Sequence, residues 1–301
     1  MNFARLHREE RLSVPLDAWF FAIASAALFG LGLVITQFGL RDMTPAVGAM
    51  FSMPTAAAVF FAAAPFVADF AGARGDAVLL FAVVGIFFPA AITLLTFEAN
   101  RIMGPYVSGA IGNLAPVFAV AVGVFVLGET LGGTEWLAVG AIVGGVTAMS
   151  VRRSWQDRSW RHWAIALPLG AAFCRGLGPP ALKIGLGWWP NPFVAVLICY
   201  AVSALVALAV GYWRTRGTER RITRRGAGFF ALVGLSNGFA VLCWVQSLAL
   251  GSVSLISPIV ACYPMFTLLF GAVLLRRTAI AGNQIVGVIL TVTGIVMLTG
   301  N

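Results

Sequence analysis

The sequence predicts an all-α, polytopic membrane protein in which ten transmembrane helices form two inverted five-helix repeats. Three observations lead to this fold class: the composition, the spacing of the apolar runs and an internal repeat. Of the 301 residues, 60% are hydrophobic and only 10% are charged, whereas soluble domains carry roughly 25% charged residues. The composition therefore excludes a soluble enzyme, a disordered chain, a coiled coil and a nucleic-acid-binding domain.

Ten apolar runs are separated by short polar or Pro/Gly breaks, and each is long enough for a helix to cross a bilayer. Their continuous apolarity favours helices, because the strands of a membrane barrel alternate in ~10-residue units. The predicted spans, numbered 1 to 10, are 17–39, 46–68, 77–97, 104–127, 135–151, 162–187, 191–213, 226–249, 252–275 and 280–300. The predicted organisation is a polar segment at 1–16, a first repeat at 17–151, a basic linker at 152–161 and a second repeat at 162–301.

The two halves share spaced markers at a nearly constant displacement of 146 to 148 residues. The pairs are Gly30 with Gly176, Gly32 with Gly178, Gly39 with Gly185, Gly104 with Gly251, Pro116 with Pro264, and Gly140 with Gly287. Each repeat holds an odd number of spans, so the second copy must enter the membrane from the opposite side. An inverted repeat of this kind is typical of secondary transporters.

The charge and the cysteines restrict what else the chain can be. The net charge is +9, which indicates loops held at an anionic cytoplasmic surface. Fourteen Arg residues fall on the membrane side opposite the termini and four on the side of the termini, so the charge rule places the termini outside. All four Cys lie inside apolar runs, whereas His7 lies before the first run and His162 only at the very start of the sixth. We therefore expect no disulfide, metal site or cofactor.

Two passages of the first half carry a family signature. The first is LFGLG at 28–32 followed by TQFGL at 36–40, and the second runs from Pro116 through LGET at 127–130 to EWL at 135–137 and Gly140. With the two five-span halves, they resemble the drug/metabolite transporter superfamily, EamA type, over almost the whole chain. The resemblance implies a ten-helix carrier of metabolites, amino acids or drugs, often an exporter, with its termini inside.

This sequence differs from the family pattern at two places. Gln37 stands where the family often has Lys, and Arg276-Arg277 stand where the family usually repeats Gly-Glu in the second half. The substrate does not follow from the resemblance, and the membrane orientation stays open between the charge count and the family.

Arg175 is the clearest candidate functional residue, because it lies near the centre of span 6. A charge at mid-membrane costs at least ~2.5–3.5 kcal/mol on insertion scales and is by default a functional hypothesis. The residues that follow predict a kink or a break in the helix beside it, since proline lacks an N–H for the carbonyl four residues back; they are Gly176, Gly178, Pro179 and Pro180. A fixed cation beside freed carbonyls predicts a pocket for an anion. The alternatives are a structural ion pair and a kink that serves packing alone.

Three further polar residues are candidates with strong structural alternatives. Lys183, the only Lys, lies eight residues after Arg175 and could bind substrate or extend to the interface. Gln37 is its repeat counterpart and could instead hydrogen-bond a neighbouring helix. Glu98 could couple protons, because burial would raise its pKa, or it could pair with Arg101.

A further set of polar and aromatic residues lies within spans 4, 7, 8 and 9. The polar members could bind a polar solute at the repeat interface or join helices by hydrogen bonds; they are Asn113, Asn237, Ser257 and Tyr263. Tyr200 and Trp244 could stack on a planar substrate or simply pack.

The predicted function is that of a secondary transporter, not an enzyme. It would move a small polar metabolite, an amino acid or an organic anion, by alternating access at a site lined by spans 1, 4, 6, 8 and 9, with export as one direction. The alternatives are a channel-like solute or ion pore and a lipid flippase on the same architecture. The expected location is the inner cell membrane, the expected partners are the substrate and the bilayer but no nucleic acid, and the protein is a monomer or a homodimer.

Overall fold

The computed structural model describes residues 15–88, 111–150, 162–216, 222–274 and 281–299, together with residues 92, 95, 99, 102 and 108. Within these ranges the chain is helical and contains no β-strand. The helices are α1 (Leu16–Gly39), α2 (Pro45–Val67), α3 (Gly75–Ile86), α4 (Ala115–Phe125), α5 (Gly133–Ser150), α6 (Ala166–Trp188), α7 (Pro192–Thr215), α8 (Arg224–Leu250), α9 (Val253–Val260), α10 (Tyr263–Leu274) and α11 (Gly282–Thr299).

The helices confirm the predicted all-helical membrane fold over the described residues. Six helical segments are long and apolar enough to cross a membrane, and four shorter apolar helices occupy spans 3, 4, 5 and 10. The segments that link the longer helices are short, as expected when little of the chain lies outside a bilayer.

Three helices begin at a residue whose side chain caps the helix N-terminus. The Thr44 Oγ1 accepts a hydrogen bond from Val47 N at the start of α2, and the Asn191 Oδ1 accepts from Val194 N at the start of α7. The Thr223 side chain does the same at the start of α8. Because the first amide groups of a helix have no partner within it, such side chains fix where the helix starts.

The main helix packing joins helices of the first half of the chain to helices of the second half. Helix α1 packs on α8 and α10, α2 packs on α7 and α8, and α3 packs on α6 and α7. Helix α4 packs on α6, and α5 packs on α11. The core therefore lies between the halves and not separately within each of them.

Glycines that mark the repeat in the sequence make matching close contacts. A Cβ atom added at Gly30 in α1 would lie 2.9 Å from the carbonyl oxygen of Tyr263, and one added at Gly176 in α6 would lie 2.7 Å from that of Ala115. Tyr263 and Ala115 are themselves separated by the repeat displacement of 148 residues. Each half thus needs glycine where its first helix approaches the backbone of the other half's fourth span.

Helices α5 and α11 form a pair that uses the same kind of contact. A Cβ added at Gly145 would lie 2.6 Å from the Gly287 carbonyl oxygen, and one added at Gly287 would lie 2.6 Å from the Gly145 carbonyl oxygen. Small residues at such crossings let membrane helices approach closely.

Helix α6 is continuous from Ala166 to Trp188, so the break predicted at Gly176, Gly178, Pro179 and Pro180 is wrong. The ring of a proline fixes a φ that suits a helix, although each proline removes one hydrogen bond. Neighbouring helices hold such a segment in one direction, as is common for proline in membrane helices. Here Gly176 lies against α4 and Gly178 against the Phe88 ring.

The interruptions occur in spans 4 and 9 instead. Span 9, predicted as one helix over 252–275, consists of α9 and α10 joined by a turn at Ala261 and Cys262. In span 4 the residues Asn113 and Leu114 form a turn between the helical residues 111–112 and α4. The two turns lie 148 residues apart, at equivalent positions of the two halves.

Candidate functional site

A cavity of about 280 Å³ lies between the two halves at the level of these interruptions. The first half contributes residues of α1, the segment after α3 and the start of α4, and the second half contributes residues of α6, α8, α9 and α10. The lining residues are Phe29, Leu33, Phe88, Ile92, Gly112, Asn113, Ala115, Pro116, Ala119, Arg175, Gly176, Pro179, Asn237, Trp244, Ser257, Val260, Ala261 and Tyr263. Most of them are apolar, so the few polar groups determine what the cavity recognises.

Arg175 is the only charged residue among the described residues that line the cavity. It lies near the middle of α6 and is half-buried. Across the described ranges, no carboxylate lies within salt-bridge distance of its guanidinium; the one ion pair found there joins Arg74 to Asp76 at the edge of α3. A guanidinium carries five N–H donors and no acceptor, so this residue gives the cavity a positive charge and a set of donors.

The turns that interrupt spans 4 and 9 both lie at this cavity. The Leu114 amide donates to the Ile111 carbonyl over 3.0 Å, and the Cys262 amide donates to the Ile259 carbonyl over 3.0 Å. Both bonds join residues three apart, which tightens the chain into a turn where a regular helix would bond residues four apart. The two halves therefore interrupt their fourth spans with the same hydrogen-bond geometry.

A proline follows each turn and explains why the helix restarts there. Pro116 is near the start of α4 and Pro264 is near the start of α10. Neither can donate to the carbonyl four residues earlier, so Gly112 and Val260 lack their regular helical partner. Both of these residues line the cavity. Discontinuous membrane helices that present backbone groups to a central site are typical of transporters.

Two buried polar atoms on the cavity lining have no hydrogen-bond partner among the described residues. They are the Trp244 Nε1 and the Ser257 Oγ, on side chains that are only 5% and 7% exposed. Trp244 stacks against Phe88 with ring centroids 5.4 Å apart, which holds the indole in one orientation. Buried donors usually have a partner, so these two are candidates to bind a solute.

The remaining polar residues on the lining come from both halves. Asn113 donates to the Val146 carbonyl over 3.3 Å, which links the turn of span 4 to α5. Asn237 lies against Gly32 of α1, and Tyr263 begins α10. Six of the nine residues predicted to bind substrate therefore line one cavity: Arg175, Asn113, Asn237, Tyr263, Ser257 and Trp244.

Lys183 lies outside this cavity, on the same helix as Arg175. Its Nζ donates to the Leu248 carbonyl over 2.7 Å and to the Gly251 carbonyl over 2.9 Å. These carbonyls are at the C-terminal end of α8, where a helix leaves acceptors unpaired and favours a positive charge. The side chain therefore joins α6 to α8.

Glu129 makes the complementary contact at the start of α9. Its carboxylate accepts from Val253 N over 2.7 Å, and from Ser254 N over 2.8 Å and Ser254 Oγ over 2.5 Å. A negative group that binds the first amides of a helix stabilises it. Lys183 and Glu129 together hold the junction between α8 and α9.

The Leu-Gly-Glu turn at 127–129 places the Glu129 carboxylate where it can bind the start of α9. Gly128 has a φ of +71°, in the left-handed region where glycine has no steric penalty. The Glu129 amide then donates back to the Gly123 carbonyl, six residues earlier, over 3.0 Å, which closes the turn after α4. The glycine thus turns the chain so that the Glu129 carboxylate reaches the second half.

Two other predicted residues, Gln37 and Tyr200, do not line the cavity. Gln37 lies half-buried near the end of α1. Tyr200 is buried in the core and packs on Phe60 with ring centroids 5.6 Å apart. Glu98, the candidate for proton coupling, lies outside the described residues.

Sequence reasoning missed the role of the two interrupted spans, although a signal was present. Pro116 and Pro264 served only as repeat markers. A proline just inside the start of a helix also indicates that a helix begins there, so each marked an interruption. The contribution of Phe29 and Phe88 to the lining had no such signal, because apolar residues in a membrane span carry no mark of what they face.

Comparison with known proteins identifies the chain at the level of its family. Among solved structures, 29 chains are similar to this one. One of them, described as "Crystal structure of protein", is 19% identical to this chain and superposes with a TM-score of 0.76. That match covers 94% of this chain and 95% of the other. At such identity the likeness establishes the fold alone. No curated protein matches the chain.

A profile of the EamA-like transporter family matches residues 18–151 and again residues 162–300. The two matches together span most of the chain, and the family lies within the drug/metabolite transporter superfamily. The chain therefore belongs to the EamA-like transporter family and is a multi-pass membrane transporter.

Proposed function

We propose that the protein is a secondary transporter that moves a small polar metabolite, an amino acid or an organic anion, by alternating access. The observation that carries the proposal is the cavity between the halves, with Arg175 on its lining and no carboxylate paired to it among the described residues. A membrane-embedded guanidinium is costly unless it has a partner or a polar cavity. A transported anion would provide that partner transiently.

The proposal includes an inverted arrangement of the two repeats, which would permit alternating access. The family profile matches each half separately, and each half comprises five predicted spans, an odd number. The contacts are also reciprocal, since Gly30 meets the backbone of Tyr263 as Gly176 meets that of Ala115. Two halves related in this way can exchange roles when the cavity opens to one side or the other.

The two interrupted spans give the movement a structural basis. Segments beside the turns at 113–114 and 261–262 are joined by tight three-residue hydrogen bonds in place of a continuous helix. Such positions absorb changes in backbone angle more readily than a regular helix does. The proposed location is the inner membrane, with export as one of the two possible directions of transport.

The test is solute counterflow in proteoliposomes that contain the purified protein. Vesicles are preloaded with unlabelled amino acids, organic anions or nucleosides, and the uptake of the labelled compound is followed. A transporter accumulates label transiently by exchange, whereas a pore gives only equilibration and a lipid flippase moves none of these solutes. We expect counterflow with at least one amino acid or organic anion.

The variant Arg175→Ala connects the activity to the cavity. We expect it to fold normally and to lose counterflow at least a hundredfold. Arg225→Ala is the matched control, because Arg225 lies over the Phe229 ring at 5.7 Å, away from the cavity lining. Full activity in Arg175→Ala would show that transport does not depend on the proposed site.

A further inference from the structure

We propose that the substrate of this cavity is a monocarboxylate with an apolar body, and that the Trp244 indole and the Ser257 hydroxyl bind its carboxylate together with Arg175. This inference rests on the proposed function and narrows it to one class of solute. It also assigns to Trp244 and Ser257 a part in selecting the solute, in addition to the attraction that the charge of Arg175 provides.

Donors outnumber acceptors among these three side chains, because only the Ser257 hydroxyl can also accept a hydrogen bond. An indole N–H and a guanidinium donate only, and a serine hydroxyl donates once. The Trp244 Nε1 and the Ser257 Oγ are both buried and have no partner among the described residues. A carboxylate offers about four lone-pair sites on two oxygens, which suits several donors on the lining of one cavity.

The charge of the cavity favours a single negative charge on the solute. Arg175 is the one charged side chain among the described lining residues. A monocarboxylate is neutralised by one guanidinium, whereas a phosphate monoester carries up to two charges and would leave one unpaired. A carboxylate therefore fits the lining better than a phosphate does.

The rest of the lining favours an apolar body. Rings of Phe29, Phe88 and Trp244 and the side chains of Leu33 and Val260 form its walls. The volume of about 280 Å³ is close to the lower end of the ~300–1,000 Å³ typical of ligand pockets. A small solute with one charged end and a compact hydrocarbon end matches both properties.

Packing holds the Trp244 indole in position for this role. Its ring lies tilted on Phe88, with an interplanar angle of 34°. A Cβ atom added at Gly178 of α6 would lie 3.7 Å from the Cη2 atom of Trp244, so the backbone of α6 also lies close to the edge of the indole. An N–H that is fixed in this way can select a ligand with little loss of side-chain freedom.

The experiment measures equilibrium binding of matched acids and amides to the full-length protein in nanodiscs. The probes are benzoate, cyclohexanecarboxylate and hexanoate, their three primary amides, and phenyl phosphate, with Arg175→Ala as the blank. The wild-type protein is expected to bind at least one acid about tenfold more tightly than its amide and more tightly than phenyl phosphate, because charged hydrogen bonds are the stronger ones.

The variants Trp244→Phe and Ser257→Ala test the two donors. Each removes one hydrogen-bonding group and keeps most of the side chain, and each should lower the acid-to-amide preference about five- to tenfold. Ser25→Ala is the matched control: the Ser25 hydroxyl is also buried and unpartnered among the described residues, but it is not on the cavity lining. It should leave the preference unchanged.

The inference is overturned if no acid binds more tightly than its amide, if phenyl phosphate binds best, or if both variants keep the wild-type preference. Those results leave the proposed transporter intact when Arg175-dependent counterflow is still observed with another solute. Conversely, the absence of any counterflow removes the proposed function, whatever the binding data show.

Discussion

The two cations of α6 lie eight residues apart on one helix and have opposite surroundings. Arg175 faces a cavity and has no carboxylate or carbonyl partner among the residues that the structure describes. Lys183 donates to two carbonyls at the end of α8, near the Glu129 carboxylate that binds the start of α9. One charge is available to a solute, and the other is used by the fold.

The difference shows that depth in the membrane does not by itself make a charge functional. A buried cation must be compensated, and the protein itself can provide the compensation. Where backbone carbonyls do so, removal of the cation should cost stability. Where a cavity takes their place, removal should cost transport and leave stability nearly unchanged. The predictions below compare the two residues on this basis.

The largest effect on stability is expected for Glu129→Gln. The carboxylate accepts hydrogen bonds from two amides and one hydroxyl, and the substitution removes its charge. The free energy of unfolding should fall by about 3 kcal/mol, since hydrogen bonds to charged groups contribute roughly 1.5–3 kcal/mol each. Denaturant unfolding in mixed micelles measures it.

Glu135→Gln is the control for that variant. Glu135 is half-buried, and its carboxylate accepts an exposed hydrogen bond from the nearby Gly132 amide in the first turn of α5. Its substitution should cost much less. If both variants lost the same free energy of unfolding, the Glu129 cap on α9 would contribute no more than an ordinary surface hydrogen bond.

The variant Lys183→Met should lower the unfolding free energy by about 2 kcal/mol, because two carbonyls at the end of α8 lose a charged donor. Methionine keeps the length and apolar character of the side chain, so the loss reports on the ammonium group. The same unfolding assay applies. A Lys183→Met protein as stable as wild type would place Lys183 with Arg175 as a charge free for solute.

The double variant Glu129→Gln/Lys183→Met sharpens the comparison. The two side chains bind different helix ends at one junction, without a direct hydrogen bond between them. Their interaction energy in a double-mutant cycle should therefore be about 1 kcal/mol. Strict additivity would indicate two independent caps, and a value well above this would indicate a direct ion pair in solution.

The smallest effect on stability is expected for Arg175→Met. With no partner to lose among the described residues, the unfolding free energy should stay within about 0.5 kcal/mol of wild type or rise, since removal of a membrane-embedded charge is favourable. Transport should nevertheless be lost. A fall as large as that of Lys183→Met would reveal a structural partner for Arg175 and would end the distinction between the two cations.

The sequence predicted the fold well because its signals are local. A span needs only an apolar run, so the described helices lie close to the predicted limits, as α1 (Leu16–Gly39) does to 17–39 and α7 (Pro192–Thr215) to 191–213. Local reasoning failed at α6, where adjacent prolines did not break the helix. Packing against neighbouring helices keeps α6 continuous, and these contacts cannot be inferred from the residues adjacent in sequence.

The candidate site was predicted in part, and the missing part is also non-local. Arg175 stood out because a charge is rare in an apolar run. The separation of Lys183 from the cavity could not be predicted, because its acceptors lie 65 and 68 residues later. Tyr200 was indistinguishable from Trp244 by sequence, since both are aromatic residues of membrane spans.

By itself, the sequence determined that this is a helical membrane protein, that it is duplicated, and that a cation lies near the centre of an apolar run, because each of these follows from the order and type of neighbouring residues. The tertiary structure decided which cation is free, which spans are interrupted beside the cavity, and which donors lack partners. The reason is that a side chain's partner comes from whichever helix packs against it, as Glu129 meets amides 124 and 125 residues away.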